Sequence, residues 1–412
     1  MEKASPFQLL AFLLTSLHLL ATCSLAMNIS TDQSSLLASK SHISSDPFHI
    51  LSTNWSSSTS VCDWIGITCS SRHQRVIALN ISNMGFSGTI PPQLGNLSFL
   101  VSLDLSKNNF RTVTGILVIG LIEFSHLRRL RVINLSYTNF RRNSIGIATL
   151  PSLIRFSMGY NKLLNGSNVL SKFSISTLEY LDLRNSGLTG DFPSDLCHRL
   201  PRLRNLALGN NMLSGELKGT ISDEIGHLYN LKNIFMDKNY LTGSIPLTLF
   251  NISSLEMLYM NDNKLEGPLL RQVGNLTMLT WFDLSNNYLA GIIPHEVGNL
   301  QELKDLPLSY NEFSGSIPIG IFNISSLVTI GLTENHISDF GIAKLLIKEE
   351  SIAHTTTFAT IGYIAPGLIS KRSDVYSFGI ILLETFTKKK PRDEKLAGDL
   401  NLRSWVHNSL PS

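Results

Sequence analysis

A chain of 412 residues, 43% of them hydrophobic, has material for a large core and for more than one folding unit. A formal net charge of +3, with only 16% charged residues, makes no electrostatic case for nucleic acid or an anionic membrane surface. The run Lys388-Lys389-Lys390 is short and reads as a solvated turn rather than a binding patch.

Residues 1–26 read as a secretory signal: Lys3 precedes an apolar stretch from Leu9 to Leu20, and Ser24-Leu25-Ala26 offers small residues for cleavage. That stretch is too short for a membrane anchor, which needs roughly 20 apolar residues. Asn-x-Ser/Thr triplets agree with export. They fall at Asn28, Asn54, Asn80, Asn96, Asn134, Asn165, Asn251, Asn275 and Asn323, all before residue 330. Cys23 leaves with the signal. In an exported chain Cys62 and Cys69 favour a disulfide, closing a loop worth roughly 2–3 kcal/mol, and no second ligand pair lies nearby for a metal. Cys197 reads as a buried apolar residue.

From Leu255 to Pro318 the chain repeats every 24 residues. Leu279-x-x-Phe282-x-Leu284-x-x-Asn287-x-Leu289-x-Gly291-x-Ile293-Pro294 is matched by Leu303-x-x-Leu306-x-Leu308-x-x-Asn311-x-Phe313-x-Gly315-x-Ile317-Pro318. The period and pattern are those of a leucine-rich repeat. Leu-x-Leu alternates like a short strand, so successive repeats stack in parallel. The Asn amide satisfies backbone groups buried where the chain turns out of the strand. Apolar burial within one repeat falls short of its ordering cost, so stacking is obligatory. Strand markers fall at 79, 103, 133, 156, 181, 206, 234, 258, 282, 306 and 330, giving eleven repeats. The turn-out Asn recurs at 108, 161, 211, 239, 263, 287, 311 and 335, with Met84, Thr138 and Ser186 elsewhere.

Thr31-Asp32-Gln33-Ser34-Ser35-Leu36-Leu37, the Cys62–Cys69 box with Trp64, and the Leu-x-Gly-x-Ile-Pro repeat together resemble plant leucine-rich-repeat receptor-like kinases. The resemblance implies an N-terminal cap, which covers the open apolar edge of the first repeat. Within residues 111–127 the run Gly115–Ile122 interrupts the period; it is too short to span a bilayer, and its role is open. Binding on a solenoid uses the concave strand face. Candidates there are Phe235, Asp237, Lys238, Tyr259, Asn261, Asp262, Trp281 and Asp283, with Arg184 earlier in the chain. Aromatics beside charges suit a peptide-binding surface, although scattered exposed aromatics are also ordinary.

The eleventh repeat breaks off into Ser338-Asp339-Phe340-Gly341-Ile342-Ala343-Lys344. Thr355-Thr356-Thr357, Thr360-Ile361-Gly362-Tyr363-Ile364-Ala365-Pro366 and Ser373-Asp374-Val375-Tyr376-Ser377-Phe378-Gly379 follow in order. This segment resembles the activation segment and following helix of a plant receptor-like serine/threonine kinase. The resemblance implies that Asp339 would hold the nucleotide's Mg²⁺ and that Thr355, Thr356, Thr357 or Thr360 would be phosphorylated. Asp374 would brace the catalytic loop. No Gly-rich loop, ATP-binding Lys or His-Arg-Asp loop precedes Asp339, and Pro366 runs into Gly367 where the family has Glu. ATP and Mg²⁺ therefore belong to intact family members, and no cofactor or catalytic residue is expected here.

The expected fold is α/β: a right-handed leucine-rich-repeat solenoid with an N-terminal cap, plus a small, mainly α-helical, incomplete kinase C-lobe fragment. The divisions are 1–26 signal peptide, 27–75 cap, 76–337 solenoid and 338–412 kinase-like fragment. The expected function is extracellular or cell-wall recognition of a peptide or protein, without catalysis and without a membrane span, with intact receptor-like kinases or co-receptors as candidate partners. The alternative is a plasma-membrane receptor-like serine/threonine kinase of defence or development signalling, with missing parts lost to an error of gene prediction.

Overall fold

The computed structural model describes residues 29–111, 126–139, 150–161, 170, 173–193, 195–215 and 225–338. The signal segment, Asn28, Asn165, most of the 111–127 interruption and everything from Asp339 onward lie outside the described residues. Two compact units divide the chain, Met1–Gly187 and Leu188–Ser412.

The first unit opens with the cap: helix α1 (Ile29–Lys40), strand β1 (Ile43–Ser45), helix α2 (Ile50–Asn54) and strand β2 (Ile67–Cys69). Cys62 and Cys69 are joined in a disulfide. Trp55 and Trp64 stack with ring centroids 5.3 Å apart, and both are buried. Asp32 of α1 is fully buried; it accepts hydrogen bonds from Arg75 Nε at 2.8 Å, Arg75 Nη2 at 2.7 Å and the Val76 backbone N–H at 3.0 Å. Arg75 immediately precedes β3 (Val76–Asn80), so one bidentate pair fastens the cap helix to the first repeat strand. From β2, which pairs antiparallel with β3, the sheet continues through β5 (Ser102–Asp104), β7 (Val132–Asn134), β8 (Arg155–Ser157) and β9 (Tyr180–Asp182), all parallel. On the outer side β4 (Ser87–Thr89) lies between β1 and β6 (Asn109–Arg111).

In the second unit the sheet runs β11 (Asn205–Ala207), β13 (Asn233–Phe235), β15 (Met257–Tyr259), β17 (Trp281–Asp283), β19 (Asp305–Pro307), β21 (Thr329–Gly331). A second parallel sheet joins β14 (Thr242–Gly243), β16 (Lys264–Pro268), β18 (Tyr288–Ile292), β20 (Glu312–Ser316) and β22 (His336–Ser338), and β10 (Thr189–Asp191) pairs with β12 (Met212–Ser214). Helix is scarce: α3 (Leu196–Arg199) is a single turn that holds the buried Cys197, and short 3₁₀ turns such as His295–Asn299 close the repeats.

Each strand marker read from the sequence is buried; Leu79 is the fourth residue of the five-residue β3, and the others, from Leu103 to Ile330, occupy the middle of three-residue strands. In one 24-residue period the buried set is Leu279, Phe282, Leu284, Leu289, Ile293, Val297 and Leu300. The period therefore forms a column of like side chains in each unit, and burial of that column drives the stacking.

The turn-out Asn does more than satisfy its own turn. Asn287 Nδ2 donates to Leu284 O at 3.1 Å and Ser285 O at 3.2 Å within its repeat, and to Met260 O at 3.1 Å in the preceding one. Its Oδ1 accepts the Leu265 N–H at 3.0 Å, again from the preceding repeat. Asn239, Asn263, Asn311 and Asn335 make the same set. Each amide is a staple between neighbours, buried at 239, 263, 287 and 311 and half-buried at 335. Where Thr138 replaces it, one hydroxyl serves Leu135 O at 2.6 Å and lies 3.1 Å from Asn161 Oδ1. Ser186 donates to Met158 O in the preceding repeat and to Arg184 O in its own.

The eleventh repeat completes its second strand. Gly315 pairs with Ile337 and Ser316 with Ser338, so the repeat continues one residue past the expected boundary at 337.

Candidate functional site

In a three-residue strand with its middle side chain buried, the first and last side chains share the opposite, exposed face. Parallel pairing then aligns them in rows. In the second unit one row reads Asn233, Met257, Trp281, Asp305, Thr329, and the other reads Phe235, Tyr259, Asp283. Phe235 and Tyr259 stack with centroids 5.3 Å apart and planes 24° from parallel. Trp281 stands in the neighbouring row and is 36% exposed.

The remaining candidates flank these rows. Asp237 and Asn261 follow the strands. Lys238 and Asp262 belong to the turn, with left-handed φ of 53° and 54°, so neither is a strand residue. Arg184 lies in the first unit and forms a bidentate pair with Asp182 (3.0 and 2.7 Å), which raises its pKa further. There Arg155 also covers the Tyr180 ring at 4.4 Å. These contacts make Arg184 a surface brace rather than an open recognition group.

Two carboxylates, Asp283 and Asp305, stand in the second unit's rows, and Asp262 flanks them. Asp262 accepts Asn261 Nδ2 at 2.8 Å and Asn286 Nδ2 at 2.6 Å. Asp283 accepts the Ser285 N–H at 2.9 Å and its hydroxyl at 2.6 Å. Burial raises the Asp283 pKa; the Ser285 bonds oppose this, and the charges of Asp305 and Asp262 add to the rise. Burial likewise raises Asp305, against a hydrogen bond from the Leu306 backbone. The Tyr259 phenol is pushed up by burial and then by Asp305, Asp283 and Asp237. No ion pair involves Asp283 or Asp305 among the described residues. Lys232 is committed to Glu256. Asn261 Oδ1 is buried and accepts no hydrogen bond.

Asp305 and Met257 escaped the sequence reading. The signal was present, since both lie 24 residues from Trp281, on the strand position opposite the Leu-x-Leu register. The kinase-motif residues Asp339, Phe340, Gly341 and Asp374, and the threonines 355, 356, 357 and 360, lie outside the described residues. Among the described residues no cluster of His, Cys, Asp or Glu is arranged to hold a metal ion, and no helix is long and apolar enough to cross a membrane.

The described acceptor triplets fall into two settings. Asn96, Asn251, Asn275 and Asn323 each end a five-residue 3₁₀ turn and are exposed. Asn134 instead lies on a strand, donating to Asp104 Oδ2 at 3.1 Å and accepting the Ser136 N–H. Asn54 accepts the Ile65 N–H within the cap. Asn80 ends β3 and accepts both the N–H and the hydroxyl of Ser82.

Comparison with known proteins fits this architecture. The leucine rich repeat N-terminal domain matches residues 29–70, and the leucine rich repeat matches 177–198 and 278–300. The protein tyrosine and serine/threonine kinase family matches 328–401. Its first residues coincide with β21 and β22, which are paired here as the eleventh repeat. The LRR receptor-like serine/threonine-protein kinase EFR of Arabidopsis thaliana is 48% identical over 86 residues, 18% of this chain and 8% of that protein. A receptor-like protein kinase of Ipomoea nil is 47% identical over 81 residues, 18% of this chain and 7% of its own length. The matched stretches thus span under a tenth of these relatives. Among solved structures, the plant peptide hormone receptor RGFR1 in complex with RGF2 aligns with a TM-score of 0.60 and 25% identity, covering 72% of this chain and 52% of that one. PEPR1–AtPEP1 aligns at 0.57 and 26%, covering 79% and 51%. A plant ice-binding protein aligns at 0.60 and 25%, covering 71% and 90%. One fold thus serves unlike tasks, and the site must decide the function.

Proposed function

We propose that this chain, whose cap and repeats are those of plant leucine-rich-repeat receptor ectodomains, recognises an extended peptide on the exposed strand face of its second unit. The observation that carries the reading is the pair of aligned rows holding Phe235, Tyr259 and Trp281 among carboxylates. Rigid aromatic area on a sheet is a low-entropy docking surface, and hydrogen-bonding groups beside it fix register. RGFR1 and PEPR1 were solved with RGF2 and AtPEP1, which supports a peptide as the ligand class.

The same proposal places the protein outside the cell, in the oxidising compartment that suits the Cys62–Cys69 disulfide. It assigns no phosphoryl transfer and no cofactor. A kinase needs a nucleotide cradle, an ATP-binding Lys and a catalytic loop ahead of Asp-Phe-Gly. In this chain the residues immediately ahead of Asp339 are strands β21 and β22 of a repeat, so they do not fit a nucleotide and its metal.

Selection of a randomised peptide library on the full chain tests the reading. Peptides of about eight residues suffice, since ~3.3 Å per residue crosses six strands spaced ~4.8 Å apart. Enriched peptides should bind the triple variant Phe235→Ala, Tyr259→Ala, Trp281→Ala about 100-fold more weakly, an aromatic contribution of ~3 kcal/mol. Peptides that bind the triple variant as well as the parent would refute the assignment. Radiolabelled ATP with an acceptor peptide should give no transfer that Asp339→Ala abolishes.

A further inference from the structure

The exposed face of the second unit is rich in acceptors and poor in donors. Asp283 and Asp305 occupy adjoining rows and meet no lysine or arginine among the described residues. Asp237 and Asp262 stand beyond the strand ends, and the Asp262 oxygens are held by neutral amides. Asn261 Oδ1 is buried without a donor. The nearby cations do not redress the balance: Lys232 is paired with Glu256, Lys238 stands in the turn, and Lys304 sits at the exposed start of β19. Aromatic faces lie in the midst of this charge, with Tyr259 directly between Phe235 and Asp283 in register and Trp281 between Met257 and Asp305.

We propose that this face takes an arginine side chain of the peptide, its guanidinium lying on the Tyr259 or Trp281 ring and its N–H groups directed at Asp283 and Asp305. Arginine fits better than lysine for three reasons. A planar guanidinium stacks on an aromatic ring, it is weakly hydrated and so leaves water readily, and its five donors match a donor-poor surface. The carboxylates fit the same account. Burial and mutual repulsion hold Asp283 above the ordinary carboxyl range, and a bound cation would relieve the repulsion. A neutral or acidic peptide would leave both carboxylates desolvated and unpaired, which is a means of rejecting it.

The inference rests on the peptide-recognition reading above, and one set of library peptides separates the two. Enriched sequences should carry arginine. Replacing that arginine by citrulline, which keeps the shape and removes the charge, should weaken binding at least about tenfold, equivalent to ~1.4 kcal/mol. The double variant Asp283→Asn, Asp305→Asn should show the same loss, with no further loss from citrulline, because both changes remove one interaction. Its thermal unfolding, at or above the parent's midpoint, verifies folding. Enriched peptides without arginine, citrulline peptides that bind within about twofold of the parent, or indifference to the double variant would overturn the inference. Those results leave aromatic docking standing if the triple aromatic variant still loses binding; binding indifferent to that variant removes both.

Discussion

At the scale of single residues, the chain separates groups that hold it together from groups that cost it stability. Asn287 belongs to the first class. Asn287→Ala strips donors from three buried carbonyls and the acceptor from one buried N–H, at ~1–3 kcal/mol for each group left unpaired. The expected loss is about 3 kcal/mol or more in denaturant unfolding, whereas Tyr288→Thr, at the exposed position next to it, should cost less than about 1 kcal/mol. Asp283 and Asp305 belong to the second class. Their folded pKa values lie above the unfolded carboxyl value near 3.9. Such groups contribute stability below that value and lose it as pH rises through the folded pKa, so at neutral pH both work against the fold. Asp283→Asn and Asp305→Asn should each raise the unfolding midpoint at pH ~7 and have little effect near pH ~3. A lowered midpoint at neutral pH would contradict the assignment. Of these roles, the position of the Asn and its bonds within its own turn were legible in the sequence because the period is fixed; its bonds to the preceding repeat were not. The left-handed backbone at Lys107, Lys238, Tyr310 and Glu334 was not, since these residue types carry no such preference and the turn imposes the conformation.

At the scale of elements, two junctions set the tolerance of the fold. The 3₁₀ edge of the second unit is packed through glycine. A Cβ on Gly298, in the turn His295–Asn299, would meet the Gly320 backbone of the next turn at 2.8 Å. Gly298→Ala should therefore cost about 1–3 kcal/mol by overpacking, although the residue does not need a left-handed φ. The cap junction depends on the buried Asp32–Arg75 pair. Arg75→Met leaves Asp32 buried without its cation and should cost about 3–5 kcal/mol in thermal or denaturant unfolding; partial restoration by the further change Asp32→Asn, which keeps an acceptor for the Val76 N–H, would show that pairing, not packing, is the cause. The family resemblance placed the cap, whereas the 3₁₀ turns were not read from the sequence. Sequence pattern could not show the closeness of the turns or the partner of Asp32, because each depends on contacts between residues 22 to 44 positions apart rather than on local periodicity. At the C-terminal end, the three residues before Asp-Phe-Gly serve as β22 of the last repeat. A short strand carries little information about the sheet it joins, so a repeat-to-kinase boundary read from motif alone falls early.

At the scale of the molecule, the surfaces divide by chemistry within the second unit. The exposed strand rows carry aromatics and carboxylates, whereas Asn251, Asn275 and Asn323 recur at the ends of the 3₁₀ turns. Asn299 completes the column in position but is followed by Leu300-Gln301, so it is no acceptor. Site mapping of protein from a plant secretory host should find glycans on Asn251, Asn275 and Asn323, and on Asn96 in the first unit. Asn134 should be unoccupied, because its amide is engaged with Asp104 and Ser136. Occupancy at Asn134 would mean that this strand contact does not persist. Such an arrangement keeps sugar off the second unit's strand face and leaves it available to a ligand. The most direct measurement of that role places a photo-crosslinking residue either at Met257, between Asn233 and Trp281 in the strand rows, or at Tyr288, exposed on the second sheet. Library-selected peptides should be captured from position 257 and not from position 288; capture from 288 alone would place recognition on the wrong sheet and contradict the account.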